Sequence, residues 1–258
     1  MKVVILAGGL GTRISEESHL KPKPMIEIGG LPILWHIMKC YSYYGFNDFV
    51  ICCGYRGYQI KEYFSDYYLH RSNVTFDFAN GGEMTIHSNV SEPWKVTLVD
   101  TGKNSQTGGR IKRVAPFVGN ERFMLTYGDG VSNVNLNALL KQHEETKSTV
   151  TLTAVQPGGR FGVLDIEGIN VTAFKEKAKE DSGWINGGFM VAEPELFNYI
   201  DNDLTILERK PLETLSAQRK LGVYKHYDYW KCMDTQRDRD LLEGEWASGN
   251  AKWKVWEE

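Results

Sequence analysis

The residues best suited to chemistry open the chain. Lys2-Val3-Val4-Ile5-Leu6-Ala7 runs into Gly8-Gly9-Leu10-Gly11-Thr12-Arg13, and Lys21-Pro22-Lys23-Pro24 follows. Glycines there let backbone N–H groups approach a polyphosphate, while Arg13 and Lys23 add cations. Two familiar phosphate loops do not fit. A dinucleotide pattern starting at Gly9 would put its third glycine on Ile14, and a P-loop starting at Gly8 would need Gly-Lys where Arg13-Ile14 stand. What remains is an anion loop carrying its own arginine; the other reading is a tight turn with solvated basic side chains. Two aspartates bring a second chemistry into question. Asp129 follows the apolar run Phe123-Met124-Leu125-Thr126-Tyr127 and reads as a turn or capping residue or as a hard-cation ligand. Asp234 precedes a helical stretch, and its position alone reads as an N-cap.

These residues need a scaffold. An apolar run of strand length ending in glycines is a buried strand whose carboxyl end opens a loop, where open α/β sheets bind ligands. Ile33, Leu34, Ile37, Met38, Tyr41 and Tyr44 recur at helical spacing up to Gly45, and the apolar run 49–53 then completes a βαβ unit. Residues 58–69 read as a second helix and 74–78 as an alternating strand. The polar stretch 80–104, with a strand at 95–99, is a hairpin excursion or a subunit contact. Thr107-Gly108-Gly109-Arg110 opens a helix with Ile111, Val114, Ala115 and Val118 on one side; free N–H groups at its terminus suit a polar or anionic ligand, though capping alone explains the threonine and glycines. Further strands are expected at 123–127 and 150–155, with a surface helix at 135–146 between them.

From Gln156 the composition turns to short strands and loops, at 162–165, 169–175 and from Trp184 to Met190. Helical patterns near 194–200 and 211–218, a strand at 223–227 and a helix bearing Leu241, Leu242 and Trp246 close the chain. Trp253 and Trp256 dock on the body or on a neighbouring subunit. The expected fold is α/β, a Rossmann-like mixed sheet flanked by helices, in one continuous domain with a soft division into 1–155 and a smaller β-rich part, 156–258.

The segment Ala7-Gly8-Gly9-Leu10-Gly11-Thr12-Arg13 with Lys21-Pro22-Lys23-Pro24-Met25 resembles the opening of the sugar-1-phosphate nucleotidyltransferases. The resemblance implies a nucleotidyltransferase or glycosyltransferase-A-like fold, with 1–155 binding the nucleotide and 156–258 the sugar phosphate. It assigns the nucleotide to Leu6, Ala7, Gly8, Gly9, Gly11, Thr12, Arg13 and Lys23, with Arg13 on the phosphates and Lys23 on the reacting α-phosphate. The loop at Gly109 and Arg110 would approach the base. By matching position, Tyr127, Glu176, Lys177, Asn186, Gly187 and Gly188 would hold the sugar phosphate. Ala178 stands where the family commonly has proline, which frees the loop and makes Lys179 a rival to Lys177. The same likeness turns Asp129 and Asp234 into the two carboxylates of a Mg²⁺ site.

More of the chain carries the likeness: Lys21 through Gly30, Arg160-Phe161-Gly162, Asn186-Gly187-Gly188-Phe189, Trp230 and Met233-Asp234-Thr235 resemble the members that use CTP and α-D-glucose 1-phosphate. It implies CDP-glucose and pyrophosphate as products, a place in bacterial O-antigen and lipopolysaccharide synthesis, and a homo-oligomer. UTP, dTTP or GTP in place of CTP is the nearest alternative. A glycosyltransferase would use Asp-x-Asp after a buried strand, and Asp201-Asn202-Asp203 and Asp238-Arg239-Asp240 match only the letters. A non-catalytic regulatory subunit would be expected to lack Arg13, Lys23, Asp129 or Asp234, and all four are present.

Composition sets outer bounds. A chain of 258 residues with 41% hydrophobic content can bury a core, and a net charge of −3 argues against a nucleic-acid partner. The first apolar stretch is too short for a signal peptide and nothing reaches membrane-spanning length, so a cytoplasmic protein is expected. Cys40, Cys52, Cys53 and Cys232 lack metal spacing and read as reduced core cysteines, the adjacent pair on opposite strand faces.

Overall fold

Val3, Val4 and Ile5 suit a strand covered on both faces, and all three are fully buried in β1 (Lys2–Leu6), the central strand of the computed structural model. The structure describes residues 1–11, 14, 21–157, 163–167, 170–175 and 183–257. After β1 come a small ribbon, β2 (Glu27–Ile28) and β3 (Leu31–Pro32), then helix α1 (Ile33–Tyr43) and strand β4 (Asp48–Cys53), parallel to β1. The expected βαβ unit is therefore present.

The helix expected over 58–69 is instead two, α2 (Gly57–Ser65) and α3 (Tyr67–His70). Ser65 Oγ donates to the Glu62 carbonyl at 2.8 Å, a side-chain competitor of the kind that ends a helix. The ambiguous stretch after it forms an antiparallel hairpin apart from the main sheet, β5 (Ser72–Asp77) and β6 (Glu83–Asn89); β7 (Lys95–Asp100) then joins β4 in parallel.

Helix α4 (Thr107–Val118) next carries the chain to β8 (Phe123–Tyr127), parallel to β1 on its other side. The strand order thus reverses between β1 and β8, and the switch point of such a sheet leaves a crevice at the strands' carboxyl ends. Short β9 (Gly130–Ser132), helix α5 (Leu136–Thr146) and β10 (Val150–Val155) follow, then the hairpin β11 (Val163–Glu167) and β12 (Asn170–Lys175).

The strand expected from Trp184 to Met190 is broken into β13 (Ile185–Asn186) and β14 (Met190–Ala192), both antiparallel to β10. Gly188 and Phe189 between them have φ of +75° and +42°, which strand geometry forbids. Helix α6 (Lys210–Ala217), β15 (Leu221–His226), β16 (Trp230–Cys232) and helix α7 (Gln236–Ala247) finish the chain. The main sheet runs β7-β4-β1-β8-β14-β10-β15, so strands from both sides of residue 156 share it.

Alternation along the strands divides the core. Val3, Ile5, Phe49, Ile51 and Cys53 face α1, α5, α7 and the terminal Trp253 and Trp256, while Val4, Val50, Cys52 and Leu125 face α4 and α6. Cys52 and Cys53 lie on opposite faces, and all four cysteines are free. Among the described residues no helix is long and apolar enough to cross a membrane.

Candidate active site at the switch point

The carboxyl ends of β1 and β8 open into a cavity of about 640 Å³. Its wall contains Leu6, Ala7, Gly8, Gly9 and Gly11 from the first loop, Lys23 and Pro24, the loop 103–107 with Arg110, then Tyr127, Gly128, Asp129 and Glu208. Gly8 is required sterically: a Cβ there would lie 2.2 Å from Arg110 Nη1, which is itself tied to Thr101 and Gly102, whereas Gly9 faces open space.

At the floor, Lys23 Nζ donates to Asp129 Oδ2 and to Asp234 Oδ1, each at 2.7 Å. A single 3-10 turn, Lys23–Met25, fixes the lysine, with Pro24 inside it. Asp234 arrives from the far end of the chain because β16 pairs with β9 and the Met233 N–H donates to the Asp129 carbonyl at 2.8 Å. Asp234 is not the N-cap of α7. Thr235 takes that role in a capping box with Asp238, which leaves the Asp234 carboxylate to the cluster.

Burial opposes the charge on Lys23, but the Asp129 and Asp234 carboxylates outweigh it and raise the ammonium above an ordinary lysine. Cys232 donates its thiol to Asp234 Oδ2 at 3.5 Å; burial and the neighbouring carboxylates push it up to about 12, so it is a thiol rather than a nucleophile. Two carboxylates converging on one ammonium leave excess negative charge and hard oxygen donors. That donor set suits Mg²⁺, which uses few carboxylates and completes its shell with phosphates and water. Among the described residues no group of three or more His, Cys, Asp or Glu gathers as a metal site, here or elsewhere, so the two carboxylates would leave most of the shell to phosphates and water.

Arg110 is buried and holds loops together. Its guanidinium donates to Thr101 Oγ1 at 2.8 Å and to the carbonyls of Gly102 and Lys103 at 2.7 and 3.3 Å. Gly109 is not part of the cavity wall: its N–H donates to the Thr205 carbonyl at 3.2 Å and a Cβ there would strike the Asp203 backbone. The terminus of α4 is thus partly satisfied from within the chain.

On the other side, Asn186 Nδ2 donates to the Tyr127 hydroxyl at 3.1 Å, and Asn186 Oδ1 accepts from the Gly188 N–H at 3.0 Å. Gly188 must be glycine here, because its φ is +75° and a Cβ would crowd the Tyr127 ring at 3.0 Å. Trp230 Nε1 donates to the Gly187 carbonyl at 2.7 Å. Thr12, Arg13, Glu176, Lys177 and the rival Lys179 lie outside the described residues.

Sequence reasoning missed Glu208 and the loop 103–106, which line the cavity from positions with no motif. The Asp-x-Asp stretches have structural roles: Asp203 pairs bidentately with Arg113, Asp201 with Lys210, and Asp238 belongs to the capping box.

Comparison with known proteins agrees with this fold. The model of the nucleotidyl transferase family matches residues 2–253. A glucose-1-phosphate cytidylyltransferase of Salmonella typhi is 55% identical over 258 residues, covering 100% of both chains. A probable glucose-1-phosphate cytidylyltransferase of Bacillus subtilis is 42% identical, covering 99% of this chain and 100% of its own. The crystal structure of HddC from Yersinia pseudotuberculosis shares the fold with a TM-score of 0.67 at 21% identity, covering 95% of this chain and 99% of that one. With a phosphate-type loop, a lysine–carboxylate cluster at the switch point and a family model that spans nearly its whole length, the chain belongs to the nucleotidyl transferase family.

Proposed function

We propose that this enzyme transfers the cytidylyl group of CTP to α-D-glucose 1-phosphate, giving CDP-glucose and pyrophosphate. A phosphate oxygen of the sugar phosphate attacks the α-phosphorus in line; the new P–O bond forms as the bond to pyrophosphate breaks, without a covalent intermediate on the chain. The observation that carries the reading is Lys23, held at 2.7 Å from both Asp129 and Asp234 at the floor of the cavity. Both reactants are polyanions and the nucleophile is already ionised at neutral pH. The chain therefore has to neutralise and align charge rather than remove a proton. Consistent with this, no histidine or cysteine is among the described residues of the cavity wall. The full-length relatives support the choice of CTP and glucose 1-phosphate.

In this reading Leu6, Ala7, Gly8, Gly9, Gly11 and Thr12 cradle the nucleotide, Arg13 binds its phosphates and Lys23 stabilises the reacting α-phosphate. Gly109 and Arg110 shape the base end, Arg110 through the loop it ties down. Tyr127, Glu176, Asn186, Gly187 and Gly188 form the sugar side, and Lys177 or Lys179 meets the sugar phosphate. Asp129 and Asp234 would hold Mg²⁺, which when bound offsets charge developing on the leaving pyrophosphate. The residues 1–155 serve mainly the nucleotide and 156–258 mainly the sugar phosphate, with Tyr127 and Asp234 crossing that division. The enzyme works in the cytoplasm as a homo-oligomer, a state supported by the exposed apolar side chains of the hairpin, Phe76, Met84 and Ile86, with Phe78 at its turn. Its product enters bacterial O-antigen synthesis.

The test is pyrophosphate release from Mg²⁺, glucose 1-phosphate and each of CTP, UTP, dTTP, GTP and ATP. Release with CTP far above the rest is expected. A preference for another nucleotide would keep the chemistry and replace the substrate.

A further inference from the structure

We infer that Glu208 is a positioning residue for the sugar-phosphate half of the site: its carboxylate sets the direction of a hydrogen-bond chain through Tyr127 to Asn186. The inference rests on the reading that Asn186 meets the sugar. Glu208 is exposed to the cavity at a place where a polyphosphate would be repelled, so its use has to lie elsewhere. Both oxygens are engaged. Oε1 accepts from the Tyr127 hydroxyl at 2.6 Å and Oε2 accepts from the Thr107 hydroxyl at 2.7 Å.

An ionised carboxylate only accepts, so the Tyr127 proton points at Glu208 and the phenol oxygen offers its lone pairs to Asn186. Asn186 answers with Nδ2–H at 3.1 Å, and its Oδ1 turns to the Gly188 N–H at 3.0 Å. The carboxamide is thereby locked in one of its two orientations, leaving its second Nδ2 hydrogen for a sugar hydroxyl. Without the carboxylate, the Tyr127 proton is free to turn toward Asn186, where it meets an N–H instead of an acceptor. Either that bond is lost or the amide flips and gives up Gly188.

The other arm of Glu208 is better insured. Thr107 Oγ1 also accepts from the Leu207 N–H at 2.9 Å, so the α4 terminus keeps a tie when Glu208 is removed. The Tyr127 hydroxyl has no second acceptor for its proton among the described residues. Loss of Glu208 therefore falls on the sugar side rather than the nucleotide side.

The test compares Glu208→Ala, Glu208→Gln, Tyr127→Phe, the Glu208→Ala/Tyr127→Phe pair and Asn186→Ala, reading KM for glucose 1-phosphate and, separately, CTP affinity by equilibrium titration. Glu208→Ala and Tyr127→Phe should each raise the sugar-phosphate KM by roughly three- to tenfold, the size of one lost hydrogen bond, with CTP affinity within about twofold. The double variant should be no worse than either single, because both break the same chain. Glu208→Gln, which retains an acceptor, should fall between wild type and Glu208→Ala. Additive losses, or a CTP affinity that falls as much as the sugar-phosphate KM rises, would overturn the role. If Asn186→Ala leaves the sugar-phosphate KM untouched, the sugar-side reading itself fails. If Asn186→Ala raises it and Glu208→Ala does not, only the positioning role fails.

Discussion

Two buried polar clusters invite comparison. One is Lys23 with Asp129 and Asp234 at the cavity floor; the other is His36, fully buried among Trp35, Trp246 and Trp253 where the end of the chain docks. His36 Nε2 lies 2.9 Å from the Ile28 carbonyl, and Trp253 Nε1 donates to His36 Nδ1 at 3.4 Å. A carbonyl only accepts and an indole N–H only donates, so the ring is the neutral Nε2–H tautomer with both nitrogens satisfied. In the first cluster charge is retained because it is paired and open on one side; in the second it is suppressed because burial outweighs the pull of the Ile28 and Leu31 backbone and of Glu243. Satisfaction of hydrogen bonds therefore does not tell a site from a core. Excess charge facing an opening does.

The largest break in that comparison comes from Lys23→Ala. Turnover should fall about a hundredfold or more, the size of losing one preorganised donor, and near-normal kcat would remove Lys23 from the chemistry. Lys23→Met should leave the two carboxylates facing each other without compensation. Mn²⁺ followed by electron paramagnetic resonance should then bind the nucleotide-free variant more tightly than wild type. Equal binding would show that the lysine and the cation do not compete for these oxygens.

The His36 cluster should respond to pH instead. Burial holds its pKa down at about 4, against 6.5 for a free histidine. The unfolded chain therefore takes up the proton first as pH falls. This contribution is intact above about 6.5 and is lost between there and about 4, up to about 3 kcal/mol. Lys23 behaves in the opposite sense: with its pKa raised, its contribution is present below the ordinary lysine value and is lost as pH rises through the folded one. Denaturant midpoints from pH 7 to 4 should show a shallower slope in His36→Gln; an unchanged slope would move the acid sensitivity to other groups.

Legibility in the sequence followed how local each signal is. The strands at 123–127 and 150–155 and the helix from Thr107 were readable because apolar period and flanking turns lie within one window. The first loop and Asp129 were readable because each follows a buried strand directly. The break between β13 and β14 was not, since it depends on Gly188 and Phe189 adopting positive φ against β10 and Tyr127. Glu208 was invisible for the same reason at longer range: 81 residues separate it from Tyr127, and only the fold sets the two hydroxyls around it. Lys23 was legible as a cation but not as the bridge between two carboxylates, one of them 211 residues away.

Asp234 and Thr235 give the finest test, because they are adjacent and position alone assigned the cap to the wrong one. Thr235 Oγ1 accepts from the Asp238 N–H at 3.3 Å and donates to Asp238 Oδ2 at 2.8 Å, so its work is the start of α7. Thr235→Ala should cost about 1 kcal/mol in denaturant unfolding, as lost N-caps do, while most of the turnover persists because the Asp234 carboxylate keeps its own bond to Lys23. Asp234→Ala should do the reverse, abolishing most turnover with the helix cap in place. If the two variants lost activity equally, the capping box and the cluster would be one mechanical unit, and the separation of core from site would fail at the residue where the two meet.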